Sequence, residues 1–223
     1  MRTTAKVDYA VRAAIELARA YPTDGGRAVP LTRQAIADGV NQYPPGLGIA
    51  ELREAIAAQR RRRYGQEFDP GNQVLVTVGA SEAIAGAILG LVEPGSEVLL
   101  LEPFFATYAP VIAMAGAHRV AVPLVPDGRG FALDIDAVRA AITPRTRAII
   151  VNSPHNPTGM VLGDDDLRAL AEVAVAADLL VISDEVYERL TFDGREHRPV
   201  ATYPGMADRT VTISSAAKMF NCT

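Results

Sequence analysis

The chain has 223 residues, of which 49% are hydrophobic and 22% are charged, and its net charge is −4 at pH 7. This composition is typical of a folded globular protein and excludes a largely disordered chain. No run approaches the about 18 uninterrupted apolar residues of a membrane span, and the acidic balance disfavours nucleic acid as the main partner. The single cysteine, Cys222, cannot form an internal disulfide, and the start MRTTAKVDYA lacks the layout of a signal peptide. We therefore expect a cytoplasmic protein.

Residues 1–40 are predicted to form a separate helical segment, with one helix over 5–20 and a shorter one over 31–39. Neither helix belongs to an alternation of strands and helices. The opening stretch resembles the first helix of small winged-helix repressors, but neither a recognition helix nor a cluster of cysteine ligands follows it. A packing helix or a gene-fusion remnant is the favoured interpretation, and a DNA-binding regulator is the disfavoured one.

Residues 41–223 are predicted to form one α/β domain with a mostly parallel sheet flanked by helices. A helix begins near Ile49 and closes with the run Arg60 to Arg63, which is interpreted as a solvated helix end. Short β-branched runs predict buried strands over 74–78, 97–101, 118–122, 147–151, 179–183 and 210–213. Between them, helical spacing of apolar residues predicts helices over 81–92, 105–116, 134–142 and 164–177.

Polar and aromatic residues follow five of these strands, where open α/β sheets bind their ligands. The segments at these strand ends are Gly79-Ala80-Ser81, Glu102-Pro103-Phe104-Phe105, Asn152 to Gly159, Asp184 to Tyr187, and Ser214 to Lys218. They supply an anion-binding turn, an aromatic face, an amide, a carboxylate with a phenol, and a lysine. Only two of the 22 basic residues are lysines, Lys6 and Lys218, and an amine, unlike a guanidinium, can form a Schiff base. The set predicts a pocket for an aromatic, phosphorylated aldehyde.

Six segments resemble, in the same order, the class I, fold-type I aminotransferases. They are NQYPPGLGIAELREAIA, VTVGASEA, EPFFATY, NSPHNPTG, SDEVYE and SSAAKMFN. The resemblance runs from about Asp38 to the last residue, and its detail is most similar to the N-succinyldiaminopimelate aminotransferases, followed by the kynurenine transaminases and cysteine-conjugate β-lyases. It implies the fold-type I large domain, pyridoxal 5′-phosphate as cofactor, and amino acids and 2-oxo acids as substrates. The pair N-succinyl-LL-2,6-diaminopimelate and 2-oxoglutarate, from lysine biosynthesis, is one expectation.

The resemblance also implies roles for individual residues. Lys218 would form the Schiff base with the cofactor and later move the proton at Cα, and Asp184 would pair with the pyridinium nitrogen. The remaining implied contacts are Asn156 and Tyr187 to the phenolic oxygen, Phe105 stacked on the ring, and the Ala80 and Ser81 amides with the Ser215 hydroxyl on the phosphate. Tyr43 would reach the phosphate of a neighbouring subunit, which implies a homodimer with shared sites.

Several residues also have interpretations without a catalytic or ligand-binding role. His118 and His197 are interpreted as structural or surface residues, His155 as no more than a support for the site, and the aspartates at 164–166 as a helix start without metal partners. Taken alone, Asp184 could be a helix N-cap and Phe105 a core residue.

The family pattern continues past residue 223 into a small C-terminal domain, and its N-terminal segment differs from residues 1–40. The chain is therefore expected to be a large-domain fragment without the arginine that binds the substrate carboxylate. Three alternatives stay open: an aminotransferase, a cofactor-binding but catalytically incompetent fragment, and a regulator. Kynurenine transaminase or β-lyase chemistry is an alternative within the first. A Rossmann dinucleotide site is disfavoured because no Gly-x-Gly-x-x-Gly follows a strand.

Overall fold

The computed structural model describes residues 45–128 and 130–220. The chain divides into two compact units, and the described parts of these are residues 45–78 with 216–220, and Gly79–Ser215. The predicted segment 1–40, the boundary after it, Tyr43 and Cys222 lie outside the described residues. Within the part of the chain that is described, no helix has the length and apolarity needed to cross a bilayer.

The first unit contains helix α1, Ala50–Tyr64. It ends at Gly65, whose φ of 68° is the left-handed conformation that glycine adopts without steric cost. Arg61, Arg62 and Arg63 lie in its last turn, where positive charge is favoured. Arg60, however, is buried and donates to the Gln66 side chain, with distances of 2.9 and 2.6 Å. The interpretation of the arginine run as a solvated helix end is therefore wrong for Arg60.

The larger unit, Gly79–Ser215, is built on a five-stranded sheet. Its elements in chain order are α2 (Gly79–Leu91), β1 (Glu97–Glu102), α3 (Tyr108–Met114), β2 (His118–Pro123), β3 (Val125–Pro126), β4 (Phe131–Ala132), α4 (Ile135–Ala140), β5 (Thr146–Asn152), α5 (Asp164–Ala176), β6 (Leu180–Asp184) and β7 (Thr210–Ile213). The sheet order is β2-β1-β5-β6-β7, and every pairing in it is parallel. Strands β3 and β4 form a separate antiparallel pair. Helix α6 (Ala216–Phe220) belongs to the first unit.

Alternate residues of the strands enter two hydrophobic cores, one on each face of the sheet. Helices α2 and α3 cover the first face, where they form a core with Leu100, Ile150 and Ile182 of the strands. Helices α4 and α5 cover the second face, where Leu99 and Val181 point. The prediction of a mostly parallel sheet flanked by helices is confirmed.

One predicted strand is not found. Residues 74–78 do not form a strand in the described part of the chain. The Val76 N–H donates to the Leu47 carbonyl at 3.0 Å, but this contact does not continue into a ladder. An apolar β-branched run becomes a strand only where a neighbouring strand supplies successive hydrogen bonds, and sequence pattern alone does not reveal that neighbour.

Candidate active site

Asp184 is the centre of the candidate site in the larger unit. It is the last residue of β6, and its Cα is in register with Asn152 on one side and Ile213 on the other. The residue is 3% exposed. A run of β-branched and aliphatic residues buries β6 on both faces, so the side chain at its carboxyl end emerges in a desolvated position.

Two groups donate hydrogen bonds to the Asp184 carboxylate. The Tyr108 hydroxyl donates to Oδ2 at 2.5 Å, and the Val186 N–H donates to Oδ1 at 3.2 Å. Burial raises the pKa of Asp184 above its ordinary value, while the two hydrogen bonds oppose that rise and the neighbouring Glu185 adds to it. Burial, reinforced by the Asp184 charge, also raises the pKa of the Tyr108 hydroxyl, which therefore stays protonated and remains a donor.

Among the described residues, no basic side chain forms an ion pair with Asp184. A buried carboxylate whose charged form is disfavoured gains the most from a cation placed beside it. A protonated ring nitrogen of a ligand would supply that cation. This observation on the chain itself fits the pyridine ring of pyridoxal phosphate.

Asn152 joins Asp184 to the Asn156 loop and was not singled out by sequence reasoning. Its amide Nδ2 donates to the Asp184 carbonyl at 2.9 Å, and its Oδ1 accepts from the Asn156 N–H at 2.7 Å. The side chain is buried, so both bonds lie away from water. It is the first residue of the segment NSPHNPTG, and this position at the end of a buried strand is the signal that could have identified it.

His155 ties the same loop to the segment after β1. Its Nδ1 lies 2.7 Å from the Thr158 hydroxyl, and the ring also bonds to the backbone carbonyl of Pro103. Burial lowers the pKa of His155, and the bond to Pro103 opposes this shift. The ring is therefore neutral and connects two loops that follow strands, in keeping with a supporting role.

Tyr108 also connects the carboxylate to the aromatic residues. The Phe105 and Tyr108 rings meet edge to face, with their centroids 5.7 Å apart and an angle of 82° between the ring planes. Phe105 is partly exposed, which leaves ring surface for a ligand. The Tyr187 phenol lies near enough to raise the pKa of Tyr108 further. Tyr108 was predicted only as part of a helix, although it lies three residues after Phe105 in EPFFATY.

The predicted phosphate-binding residues lie at two positions in the larger unit. Ala80 and Ser81 are in the first turn of α2, where backbone N–H groups have no partner within the helix. Gly79 starts this helix with a φ of 76°, a conformation that the other residues rarely adopt. Ser215 follows β7 and is buried.

Lys218 is an exposed residue of α6, in the first unit. Within the larger unit, the structure thus connects Asp184, Asn156 and Phe105 through contacts of Tyr108 and Asn152, and Tyr187 lies near Tyr108. The roles of all these residues toward a cofactor stay predictions.

Comparison with known proteins gives the family. The family described as Aminotransferase class I and II matches residues 12–223. The match thus begins within the segment 1–40, whereas the motif resemblance begins near Asp38.

Two curated relatives illustrate the range of similarity. A probable N-succinyldiaminopimelate aminotransferase DapC of Mycobacterium tuberculosis is 66% identical over 212 residues, which cover 94% of this chain and 53% of that protein. Kynurenine–oxoglutarate transaminase 3 of Rattus norvegicus is 40% identical, over 86% of this chain and 44% of the relative.

A solved structure agrees with these sequence matches. The N-succinyldiaminopimelate aminotransferase structure from Mycobacterium tuberculosis has a TM-score of 0.84 and 62% identity, over 96% of this chain and 58% of that one. The chain spans about half the length of the curated relatives it matches. With its parallel sheet, its strand-end site and these matches, the chain belongs to the class I and II aminotransferases.

Proposed function

We propose that this chain contributes the cofactor-binding part of a pyridoxal-phosphate-dependent aminotransferase that transfers an amino group between an amino acid and a 2-oxo acid. The observation that carries the proposal is Asp184, a 3%-exposed carboxylate with a raised pKa and no basic ion-pair partner among the described residues. The 66% identity to a probable N-succinyldiaminopimelate aminotransferase supports N-succinyl-LL-2,6-diaminopimelate as donor and 2-oxoglutarate as acceptor.

Asp184 would hold a proton on the ring nitrogen of the cofactor. Ionisation of this buried carboxylate is unfavourable without a partner, so the charged pair forms at a site already prepared for it. Tyr108 and the Val186 N–H fix the two oxygens of the carboxylate, so that its direction does not depend on the ligand. When bound, the cofactor supplies a protonated aromatic ring that accepts electron density from Cα of the substrate.

Other residues would orient the ring and the phosphate. Asn156 and Tyr187 would donate to the phenolic oxygen, and the Phe105 face would stack on the ring. The amides of Ala80 and Ser81 and the Ser215 hydroxyl would bind the phosphate, since the N–H groups in the first turn of a helix point away from its hydrogen-bond ladder and lie at the positive end of its dipole.

Lys218 is proposed as the lysine that bonds to the cofactor, because it matches the lysine of the family segment SSAAKMFN. Its amine would condense with the aldehyde carbon with loss of water and, once the amino group of the substrate has displaced it, would carry the proton to and from Cα. Tyr43 is proposed to reach the phosphate of a second subunit in a homodimer.

Reduction with borohydride tests the assignment directly. After incubation with pyridoxal phosphate, borohydride should fix the cofactor covalently on Lys218, and peptide mapping should find Lys6 unlabelled. Lys218→Arg is the matched variant, because it keeps the positive charge but cannot form the bond. An adduct on Lys6, or none in a folded protein that holds the cofactor, would contradict the proposal.

Substrate identity needs a separate measurement. On the chain extended to the length of its relatives, a coupled assay should show turnover with N-succinyldiaminopimelate and 2-oxoglutarate, and weaker turnover with kynurenine. A preference for kynurenine would overturn the substrate but leave the cofactor site in place.

A further inference from the structure

Three ionisable side chains meet in the interior of the larger unit, beside the turn that follows β6. We call Glu185, Glu188 and His197 the buried triad. The side chains of His197 and Glu185 are 2% and 1% exposed, and Glu188 is 0% exposed. One nitrogen or oxygen atom of each lies within 4.8 Å of the others, and His197 Nε2 is 3.1 Å from Glu185 Oε2.

The triad lies on the opposite face of the sheet from the Asp184 carboxylate. Successive residues of a strand point to opposite faces, and Ile182 and Val181 accordingly enter the two different cores. Asp184 follows the Ile182 side, where it meets Tyr108. Glu185 lies on the other side, since the Ser183 hydroxyl donates to its Oε1 at 2.9 Å.

Backbone hydrogen bonds fix the turn at both glutamates of the triad. The Glu185 N–H donates to the Ile213 carbonyl of β7 at 2.8 Å, and the Glu188 N–H donates to the Glu185 carbonyl at 2.9 Å. Tyr187 lies between the two glutamates, and Asp184 comes directly before them. A side chain that holds Glu185 and Glu188 together therefore controls where both proposed cofactor contacts point.

We propose that His197 is a positioning residue that acts through Glu185 and Glu188 to fix the turn carrying Asp184 and Tyr187. The inference rests on the proposed function for its effect on the cofactor. Its structural part, that His197 orders this turn, stands on the contacts of the chain alone. The residue reaches the turn from a loop in which its immediate neighbours Glu196 and Arg198 are exposed.

Hydrogen exchange of the cofactor-free protein tests the structural part. In His197→Gln we expect amides of the segment 185–190 to exchange at least about tenfold faster, while amides of β1 keep their rates. The matched control is His118→Gln, because His118 is exposed at the start of β2 and contacts no residue of the triad. Unchanged exchange in 185–190, or an equal increase in both segments, would overturn the proposal.

Cofactor affinity tests the positioning role. We expect His197→Gln to weaken pyridoxal phosphate binding about tenfold or more in the parent chain. When Asp184→Asn is already present, adding His197→Gln should weaken binding further by less than about twofold. In a Ser81→Ala background the full loss should persist, since Ser81 is assigned to the phosphate. Equal losses in both backgrounds would show general destabilisation and overturn the role. Failure of the parent chain to bind the cofactor would refute the proposed function, while the exchange result would still decide the structural part.

Two further measurements keep the test decisive. If His197→Gln does not fold, Glu188→Gln replaces one triad carboxyl group by an amide of nearly the same shape, and the same acceleration in 185–190 is expected. Two carboxylates and an imidazole are also a possible metal-ligand set. One equivalent of bound metal in the purified protein, together with faster exchange of 185–190 after chelation, would replace the positioning role by a metal site.

Discussion

The hydrogen bond from Tyr108 to Asp184 makes a prediction about stability that needs no cofactor. The substitution Tyr108→Phe keeps the ring and its edge contact with Phe105 but removes the hydroxyl that donates to Oδ2. Tyr108 is 2% exposed and Asp184 is 3% exposed, so water does not readily replace the lost donor. A hydrogen bond to a charged group contributes about 1.5–3 kcal/mol, and one between neutral groups about 1 kcal/mol.

The loss should therefore depend on pH. Where Asp184 is ionised, Tyr108→Phe should lower the free energy of unfolding by about 2 kcal/mol, and where it is protonated, by about 1 kcal/mol. The raised pKa of Asp184 means that its ionisation in the folded chain disfavours folding as pH rises above the ordinary aspartate value, and the Tyr108 bond offsets part of that cost. Urea unfolding of the cofactor-free protein at several pH values measures both losses, with an expected midpoint shift of about 1 M at the higher pH.

Tyr203→Phe is the matched control. Its hydroxyl donates to Asp164 Oδ1 at 2.7 Å, but the Asp164 side chain is 37% exposed, so water can replace the donor. We expect a smaller loss than at Tyr108 at the higher pH. A double-mutant cycle of Tyr108→Phe with Asp184→Asn should give a coupling of about 1 kcal/mol or more. Additive effects, or losses at Tyr108 and Tyr203 that are equal at every pH, would refute the reasoning.

Two further predictions concern Asn152 and Glu97. Asn152→Ala should lower the free energy of unfolding by about 2 kcal/mol and weaken pyridoxal phosphate binding, because it leaves the Asp184 carbonyl and the Asn156 N–H without their bonds to the amide. Urea unfolding measures the first effect and a cofactor titration measures the second. An unchanged affinity would contradict the role of Asn152 in the site. Hydrogen bonds from Thr143, then from Arg145, lower the pKa of Glu97, so its contribution to stability is present above the ordinary value of 4.5 and is lost as pH falls through the lowered one. In Glu97→Gln, the free energy of unfolding measured with urea should fall less steeply as pH decreases in the acid range. A fall as steep as that of the parent chain would contradict this prediction.

Local pattern predicted most of the fold. The strands β1, β2, β5, β6 and β7 were predicted because runs such as VLLL and AIIV are continuous and β-branched or aliphatic, as buried parallel strands require. Asp134 was part of a predicted helix start, and it accepts hydrogen bonds from the Asp136 and Ala137 N–H groups as the N-cap of α4. The β3–β4 pair was missed, because two strands of two residues each carry no periodicity.

The connections within the candidate site were less predictable. Tyr108 and Asp184 are 76 positions apart, and nothing near either residue specifies their contact. Burial of His197 could not be predicted either, since one histidine within a polar loop creates no pattern, and its contacts with Glu185 and Glu188 are set by the fold. The family motifs predicted which residues matter, whereas the structure adds Tyr108 and Asn152 as the groups that connect them.

Adjacent acidic residues at the end of β6 restrict how this strand can change. Asp184 contacts Tyr108 on one face and Glu185 contacts His197 on the other, so insertion or deletion of one residue in the first part of β6 would exchange the two carboxylates between the faces. Each would then lie opposite the wrong partner, and the Ile182 and Val181 side chains would change cores at the same time. One-residue length changes in this strand are therefore expected to disrupt the site, whereas Arg195 and Glu196 before His197 are exposed and should tolerate substitution.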